Sequence, residues 1–220
     1  MLPVFLTIIS AFIYRVCFTE GPLFLLSFIS LAPFFYVMDN AYNYRSRFYY
    51  GTIWTVVMTG AMGHWLFIAL CQHYGLEWWK AALFFIICLL LPLVVIYGLF
   101  SLAYGFFKRD SVFFYAAVIP ALWMTAEFLR EVIPVLIPWG NIAYAVLPFQ
   151  SFVQVADITG VYGLTFLIVM INGLFLVLIK SFRSKSIAWQ RIVIAVCLAD
   201  SDVGGTILYG RFRSESMRTL

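Results

Sequence analysis

Seven stretches of apolar residues follow one another along the chain, separated by short polar or turn-forming segments. Crossing the hydrocarbon of a bilayer takes about 20 helical residues, and a helix satisfies its own backbone hydrogen bonds there, so each stretch predicts a membrane-spanning helix. Between the first two lie Glu20, Gly21 and Pro22, which favour a turn and predict a helical hairpin. The seven predicted spans cover residues 2–17, 22–38, 49–70, 79–107, 111–129, 159–180 and 188–209.

The two ends of this series leave alternatives open. The seventh stretch contains Asp200 and Asp202, and a carboxylate in mid-span carries an insertion penalty of about 3 kcal/mol, so this helix could instead be loose or partly interfacial. The first stretch could be a signal peptide. However, no basic residues precede it and no small-residue cleavage pattern comes before Glu20, which favours a retained helix.

Composition fixes the class of protein. Of the 220 residues, 64% are hydrophobic and 11% are charged, with a mean hydropathy of +0.98. A soluble domain needs enough polar residues to cover its surface, and long stretches of this chain have none. We therefore predict an all-α integral membrane protein, a polytopic bundle of about seven transmembrane helices. Residues 1–210 are predicted to form the transmembrane domain and residues 211–220 a short polar tail.

The charged residues predict an orientation and exclude one class of partner. The net charge of +4 is dispersed over loops, with no basic stripe between aromatics, which excludes a nucleic-acid partner and predicts contacts with anionic phospholipid headgroups. Cytoplasmic loops normally carry the excess of Lys and Arg, which favours a cytoplasmic N-terminus and an outward-facing 127–157 region. The cytoplasmic loops would then hold Arg45, Arg47, Lys108, Arg109, Lys180, Arg183, Lys185 and Arg191.

The cysteines and histidines offer no metal or redox motif. Single cysteines in apolar surroundings lack the short spacings of metal sites, and we interpret them as small buried hydrophobes. His64 and His73 lie near tryptophans at span ends, which is typical of the membrane interface. We predict neither a metal nor a cofactor. The cysteines are Cys17, Cys71, Cys88 and Cys197.

Polar residues between positions 120 and 172 form the candidate site, because ionisable groups at hydrocarbon depth are costly and persist where they pair, line a cavity or do chemistry. Glu127 and Arg130 share a helical face and could form an ion pair, and Trp123 lies one turn earlier. The segment Pro138-Trp139-Gly140 predicts a broken or re-entrant piece. Structural roles fit these residues as well as a ligand cavity does. The candidate residues are Trp123, Glu127, Arg130, Pro138, Trp139, Tyr144, Gln154 and Asn172.

The order of these motifs resembles a known family. The stretches P-A-L-W-M-T-A-E-F-L-R, I-P-W-G-N-I-A-Y and Q-S-F-V-Q-V-A-D-I-T-G-V-Y-G-L-T-F, followed by Asn172, are similar to the membrane domain of apolipoprotein N-acyltransferase. The earlier L-A-P-F-F and G-H-W-L motifs are similar to its second and third helices, and the stretch Tyr209-Gly210-Arg211 is similar to the linker that follows its seventh helix. The resemblance covers about residues 22–180.

The resemblance implies transfer of an acyl chain from a membrane phospholipid to the N-terminal amine of a lipidated cysteine, in lipoprotein biosynthesis at the bacterial inner membrane. In the family, a nitrilase-like domain carries the Glu, Lys and Cys of this chemistry, and no segment after Arg211 matches it. We therefore expect a truncated enzyme that is inactive alone, whose partners are a membrane phospholipid and a lipoprotein substrate or a separately encoded nitrilase-like domain.

Two other functions stay open. The chain could be a non-catalytic membrane protein that binds phospholipid or lipoprotein. A transporter has less support, because the sequence shows no internal repeat and no matched pair of broken helices.

Overall fold

The structure, a computed structural model, describes residues 1–133, 139–183 and 189–218. These residues fold into helices without a strand. The α-helices are α1 (Leu2–Val16), α2 (Ala32–Asn40), α3 (Tyr44–Gln72), α4 (Trp78–Phe84), α5 (Leu91–Phe107), α6 (Ile119–Val132), α7 (Gln150–Val153), α8 (Ala156–Arg183) and α9 (Trp189–Arg218). Two 3-10 segments cover Pro22–Phe28 and Ile142–Val146, and two π-helical segments cover Phe85–Leu90 and Phe114–Val118.

The predicted all-α membrane fold is confirmed, and each of the seven apolar stretches falls on helix. Four helical segments within the described residues are long and apolar enough to cross a membrane: Pro22–Asn40, Tyr44–Gln72, Trp78–Phe107 and Ala156–Phe182. The first helix is apolar but shorter, with 15 residues. The last helix continues through Arg218, beyond the predicted end of the seventh span.

Both π-helical segments lie where a proline enters a membrane helix. Pro92 follows Phe85–Leu90, and Pro120 follows Phe114–Val118. Proline has no N–H and its ring crowds the carbonyl four residues earlier, which belongs to Cys88 and Ala116 respectively. Each of these carbonyls falls inside a π segment, so the wider turn accommodates the proline without ending the helix.

An aromatic core fills the centre of the bundle. Trp123 of α6 is fully buried, and its ring lies 5.2 Å from the rings of both Trp54 and Tyr97 and 5.1 Å from that of Phe100. Edge-to-face pairs of this kind add to packing, which drives helix association in lipid. The core therefore fixes α6 against α3 and α5.

Polar groups mark two opposite ends of the bundle. At one end, which we call the Asp39 end, the buried Asp39 carboxylate accepts hydrogen bonds from Tyr104 (2.9 Å) and Tyr115 (2.6 Å) and pairs with Lys180 Nζ at 2.7 Å. Lys108 donates to the Asp39 backbone carbonyl. At the other end, called the Trp139 end, lie Arg15, Trp139 and Asp157. Asp39 was not predicted as a site residue, and its contacts tie together α2, α5, α8 and the segment before α6.

A kink at Gly160 divides α8. Its φ of 68° and ψ of −176° are nearly exclusive to glycine, so a side chain would strain this position. Before the kink, Asp157 accepts hydrogen bonds from the hydroxyl of Tyr209 (3.0 and 3.1 Å) and from Arg213 Nε (3.1 Å). These contacts hold α9 against the first turn of α8.

Candidate functional site

The Glu127 carboxylate is fully buried and joins four parts of the chain. Its Oε1 accepts hydrogen bonds from Trp123 Nε1 at 3.1 Å and from the Ile142 backbone N–H at 2.9 Å. Its Oε2 accepts one from the Thr165 hydroxyl at 2.6 Å, and the Tyr14 hydroxyl lies 3.5 Å from Oε1. A carboxylate tolerates burial when donors satisfy both oxygens, so Glu127 links α1, α6, α8 and the loop after α6.

Arg130 lies one turn further along α6 and is only 2% exposed. Its Nη1 donates to the Tyr97 hydroxyl at 3.1 Å, and its Nη2 donates to the backbone carbonyl of Trp139. Its Nε is buried and has no hydrogen-bond partner among the described residues. Among the described residues, the ion pairs do not include one between Glu127 and Arg130, because the guanidinium reaches other groups. The direct pair that the sequence allowed is therefore not formed.

Both charged residues hold the short loop at residues 139–142. Besides the contacts with Trp139 and Ile142, the Tyr14 hydroxyl donates to the Gly140 carbonyl at 2.7 Å. Gly140 has a φ of 83°, and a Cβ there would lie 2.7 Å from Met62 Cε. The positive φ favours glycine at this position, whereas a Cβ would meet only the end of the flexible Met62 side chain, which can move aside. These buried hydrogen bonds from other parts of the chain hold the loop in place.

A pocket of about 90 Å³ lies beside Arg130, between α3, the junction of Phe85–Leu90 with α5, and Trp139. This volume is smaller than a typical small-molecule site, so the pocket suits one part of a larger ligand. Arg130 and Thr59 form its polar wall, and the buried Thr59 hydroxyl has no hydrogen-bond partner in the part of the chain that the structure describes. At its rim the exposed rings of Trp65 and Trp139 lie 4.5 Å apart. The apolar wall consists of Met58, Met62, Leu66, Leu89 and Leu93.

A second cavity of about 520 Å³ adjoins this pocket and shares Leu66 and Leu89 with it. Its other lining residues are Leu70, Tyr74, Leu76, Phe84 and Cys88. Together the two cavities offer a polar wall next to a long apolar surface. Such an arrangement can bind an amphiphile, with its polar group beside Arg130 and its chain along α3.

The structure brings together four of the predicted site residues and separates the others. Trp123, Glu127, Arg130 and Trp139 meet at the Trp139 end, as described above. Pro138 lies outside the described residues. The other three predicted residues have different surroundings and are described next.

Asn172 has a structural role. Its Oδ1 accepts from the Leu31 N–H at 2.8 Å, and its Nδ2 donates to the carbonyls of Ser27 (2.8 Å) and Ile168 (2.9 Å). Tyr144 is exposed and Gln154 is partly buried, and neither makes a side-chain hydrogen bond to another residue in the described part of the chain. Asn172 therefore ties α8 to the segment around Ser27 and Leu31, and Tyr144 and Gln154 do not join the cluster around Glu127.

Several residues that contribute to the cluster were not predicted. Tyr14, Tyr97 and Thr165 reach the cluster from α1, α5 and α8, and each lies among apolar residues that look like ordinary core. Thr59 is equally inconspicuous on α3. Tyrosine and threonine hydroxyls inside an apolar span were the one available sign, because buried hydroxyls need partners.

The described residues contain no grouping of three or more His, Cys, Asp or Glu that could hold a metal. The four cysteines are all free; Cys17 is buried and Cys197 is exposed. The Cys17 thiol donates to the Ile13 carbonyl at 3.1 Å. The site therefore supplies shape, hydrogen bonds and one buried cation.

Comparison with known proteins gives one consistent result. Residues 10–174 match the family model "Apolipoprotein N-acyltransferase N-terminal domain". The chain is 36% identical to the apolipoprotein N-acyltransferase of Geobacter metallireducens over 66 residues, which cover 30% of this chain and 13% of that protein. Over 167 residues it is 26% identical to the Wigglesworthia glossinidia brevipalpis protein of the same name, covering 73% of this chain and 31% of the relative.

A third relative, the apolipoprotein N-acyltransferase of Pasteurella multocida, is 22% identical over 205 residues, which cover 93% of this chain and 38% of that protein. Where the alignments extend over most of this chain, it spans about a third of the length of the curated relatives. The match is to their N-terminal domain.

Proposed function

This chain belongs to the apolipoprotein N-acyltransferase family, matching its N-terminal domain, and on that premise we propose that it is the membrane part of an enzyme that acylates lipoproteins. The reaction transfers an acyl chain from a membrane phospholipid to the N-terminal amine of a lipidated cysteine. In this proposal the chain binds the lipid portions of the substrates in the bacterial inner membrane, with its N-terminus in the cytoplasm.

The pocket beside Arg130 is the observation that carries the proposal. Both proposed substrates are amphiphiles, and the pocket combines an apolar wall with a buried guanidinium and the unpartnered Thr59 hydroxyl. Trp65 and Trp139 at its rim are typical of the interface, where the polar part of a lipid lies. An acyl chain would lie against Met62 and its neighbours while the polar group approaches Arg130.

The described residues do not supply the catalytic groups that acyl transfer needs. An acyl-enzyme route requires an activated thiolate beside a base. Cys17 is buried and its thiol donates to the Ile13 carbonyl, so it is poorly placed to act as a nucleophile. We therefore expect the purified chain to bind a diacylated lipopeptide without converting it to the triacylated form, as followed by mass spectrometry. Turnover that Cys→Ala changes abolish would contradict this division of roles.

Binding of the lipopeptide tests the proposal itself. The chain, reconstituted in phospholipid nanodiscs, should bind a fluorescent diacylated lipopeptide and should not bind the same peptide without its acyl chains. Met62→Trp fills the pocket and should raise the dissociation constant about tenfold. Leu99→Trp, at an exposed position on α5, should leave it unchanged. Equal affinity for the lipidated and unlipidated peptides, or an unchanged dissociation constant in a folded Met62→Trp variant, would refute the proposed role.

A further inference from the structure

A separate groove of about 530 Å³ runs between α6, α8 and α9, away from the pocket beside Arg130. We call it the Asp202 groove. Its rim is exposed at Thr159, Ser201 and Gly205, so the groove opens on the outside of the bundle. The wall that α9 contributes lies beyond residues 10–174, the part of the chain that matches the family model.

Small residues line both walls of the Asp202 groove. Thr159 and Gly163 lie on α8, on either side of the kink at Gly160, and Ser201 and Gly205 lie four residues apart on α9. A Cβ added at Gly205 would meet no atom within 4 Å, so no described residue covers this wall. Pairs of small residues let a second helix approach closely in lipid, where close packing drives helix association. The shape of the groove therefore suits a helix.

Asp202 is an independent sign that the groove has an occupant. The residue lines the groove and is 8% exposed, and neither carboxylate oxygen has a hydrogen-bond partner among the described residues. A carboxylate that loses its water without compensation is strongly disfavoured. Glu127, which is buried too, accepts hydrogen bonds from the protein at both oxygens. Asp202 therefore lacks donors that an occupant of the groove can supply.

The missing donors belong to a basic side chain. Thr159 and Ser201 donate their hydroxyl hydrogens to the carbonyls of Val155 (3.1 Å) and Leu198 (2.9 Å), and the described lining residues include no Lys or Arg. A lipid that brought an ammonium would also bring a phosphate, for which this lining holds no cation. A Lys or Arg on a helix brings N–H donors alone. Such a residue is itself costly within a bilayer unless it pairs, so both sides of the contact gain.

We propose that the Asp202 groove docks a membrane-spanning helix of a partner protein, with a Lys or Arg of that helix donating to the Asp202 carboxylate. Asp202 lies seven residues before Tyr209, hence about 10 Å from the contact between Tyr209 and Asp157 at the Trp139 end. The basic residue of the partner should lie equally deep in its span. A second copy of this chain fits less well, because a two-fold contact would bring two Asp202 carboxylates together. The proposal does not depend on the acyl-transfer function.

Synthetic membrane-spanning peptides test the proposal. Each peptide is an alanine–leucine helix with a single Lys placed at successive positions, and its association with the full chain in phosphatidylcholine vesicles is measured by fluorescence energy transfer. Association should be strongest with the Lys about seven residues inside the span. It should then be about tenfold tighter than for the peptide with Leu in place of Lys, because a charge-assisted hydrogen bond is worth that factor. Asp202→Asn should abolish the dependence on Lys, and Asp200→Asn, an exposed position on the same helix, should preserve it.

Two neighbouring glycines cover the case in which Asp202→Asn fails to fold. A Cβ meets no atom within 4 Å at either Gly204 or Gly205, but of the two only Gly205 lines the groove. Gly205→Leu should therefore remove the association, and Gly204→Leu should leave it unchanged. Equal association of the Lys and Leu peptides with the wild-type chain, or a Lys preference that survives in a folded Asp202→Asn variant, would overturn the proposal. Self-association of the chain that depends on Asp202 and excludes the Lys peptide would assign the groove to a second copy and overturn it equally.

Discussion

Glu127 and Arg130 bury opposite charges one helical turn apart without touching, and each is compensated mainly by neutral groups. Glu127 accepts from an indole, a hydroxyl and a backbone N–H, while Arg130 donates to a hydroxyl and a backbone carbonyl. Both residues form hydrogen bonds to the loop at residues 139–142. We therefore expect their contributions to the free energy of unfolding to be coupled through that loop. Removing either one leaves buried polar groups unpaired, which is costly.

A double-mutant cycle should show this connection. We expect Arg130→Ala to lower the free energy of unfolding in detergent by about 3 kcal/mol, because it removes the donor to the Trp139 carbonyl and to the Tyr97 hydroxyl. The double change with Glu127→Gln should cost less than the sum of the single changes, since the loop is already released by the first. Combining Arg130→Ala with Thr125→Ala, an exposed position on α6, should be additive. Additive losses for Glu127 and Arg130 would show that the loop does not couple them.

At the scale of helices, the contacts between elements depend on a few buried polar side chains. Asn172 of α8 bonds to the backbone at Ser27 and Leu31, in the irregular stretch that joins Pro22–Phe28 to α2. In lipid, every backbone N–H and C=O must find a partner within the protein. Here α8 supplies the hydrogen bonds that the irregular backbone does not make itself.

Asn172→Ala should therefore destabilise the bundle. The change leaves the Leu31 N–H and the Ser27 carbonyl buried without these partners, and we expect a loss of about 2–4 kcal/mol in the free energy of unfolding. Gln154→Ala makes the matched control, because Gln154 is partly buried and its side chain makes no hydrogen bond within the described chain; its effect should stay within about 0.5 kcal/mol. Similar losses for the two changes would refute the structural role of Asn172.

Prediction from the sequence succeeded for features that depend on residues close together in the chain. Apolar stretches predicted the positions of the helices, and helical spacing put Trp123, Glu127 and Arg130 on one face. It failed where partners come from distant segments: Tyr14 and Thr165 lie 113 and 38 residues from Glu127 in the sequence, and no periodicity reports such contacts. For the same reason the i, i+3 spacing predicted an ion pair that the competing partners of Arg130 replace.

At the scale of the whole molecule, both polar ends hold basic residues. Arg47, Lys108 and Lys180 lie at the Asp39 end, and Arg15, Arg130 and Arg213 lie towards the Trp139 end with Glu131 and Asp157. The proposed orientation, in which the Asp39 end faces the cytoplasm, therefore rests on the basic residues of the short loops.

Reporter fusions test the orientation. A reporter fused after Lys108 should report the cytoplasm, and one inserted within residues 134–149 should report the opposite side. The reason is that short loops rich in Lys and Arg stay on the cytoplasmic side. Paired reporters that are active on opposite sides of the membrane, such as a fluorescent protein and a phosphatase, provide the control. The reverse pattern would overturn both the orientation and the proposed placement of the substrate pocket.

The central claim is that the pocket beside Arg130 receives an acyl chain, and photo-crosslinking tests it most directly. The chain is reconstituted with a phospholipid that carries a diazirine on one acyl chain, irradiated, and mapped by mass spectrometry. We predict that adducts concentrate on the pocket residues Met58, Met62, Leu89 and Leu93 and fall at least fivefold when excess diacylated lipopeptide competes. Adducts spread over exposed apolar positions such as Val95 and Leu99, with no response to the lipopeptide, would contradict the claim.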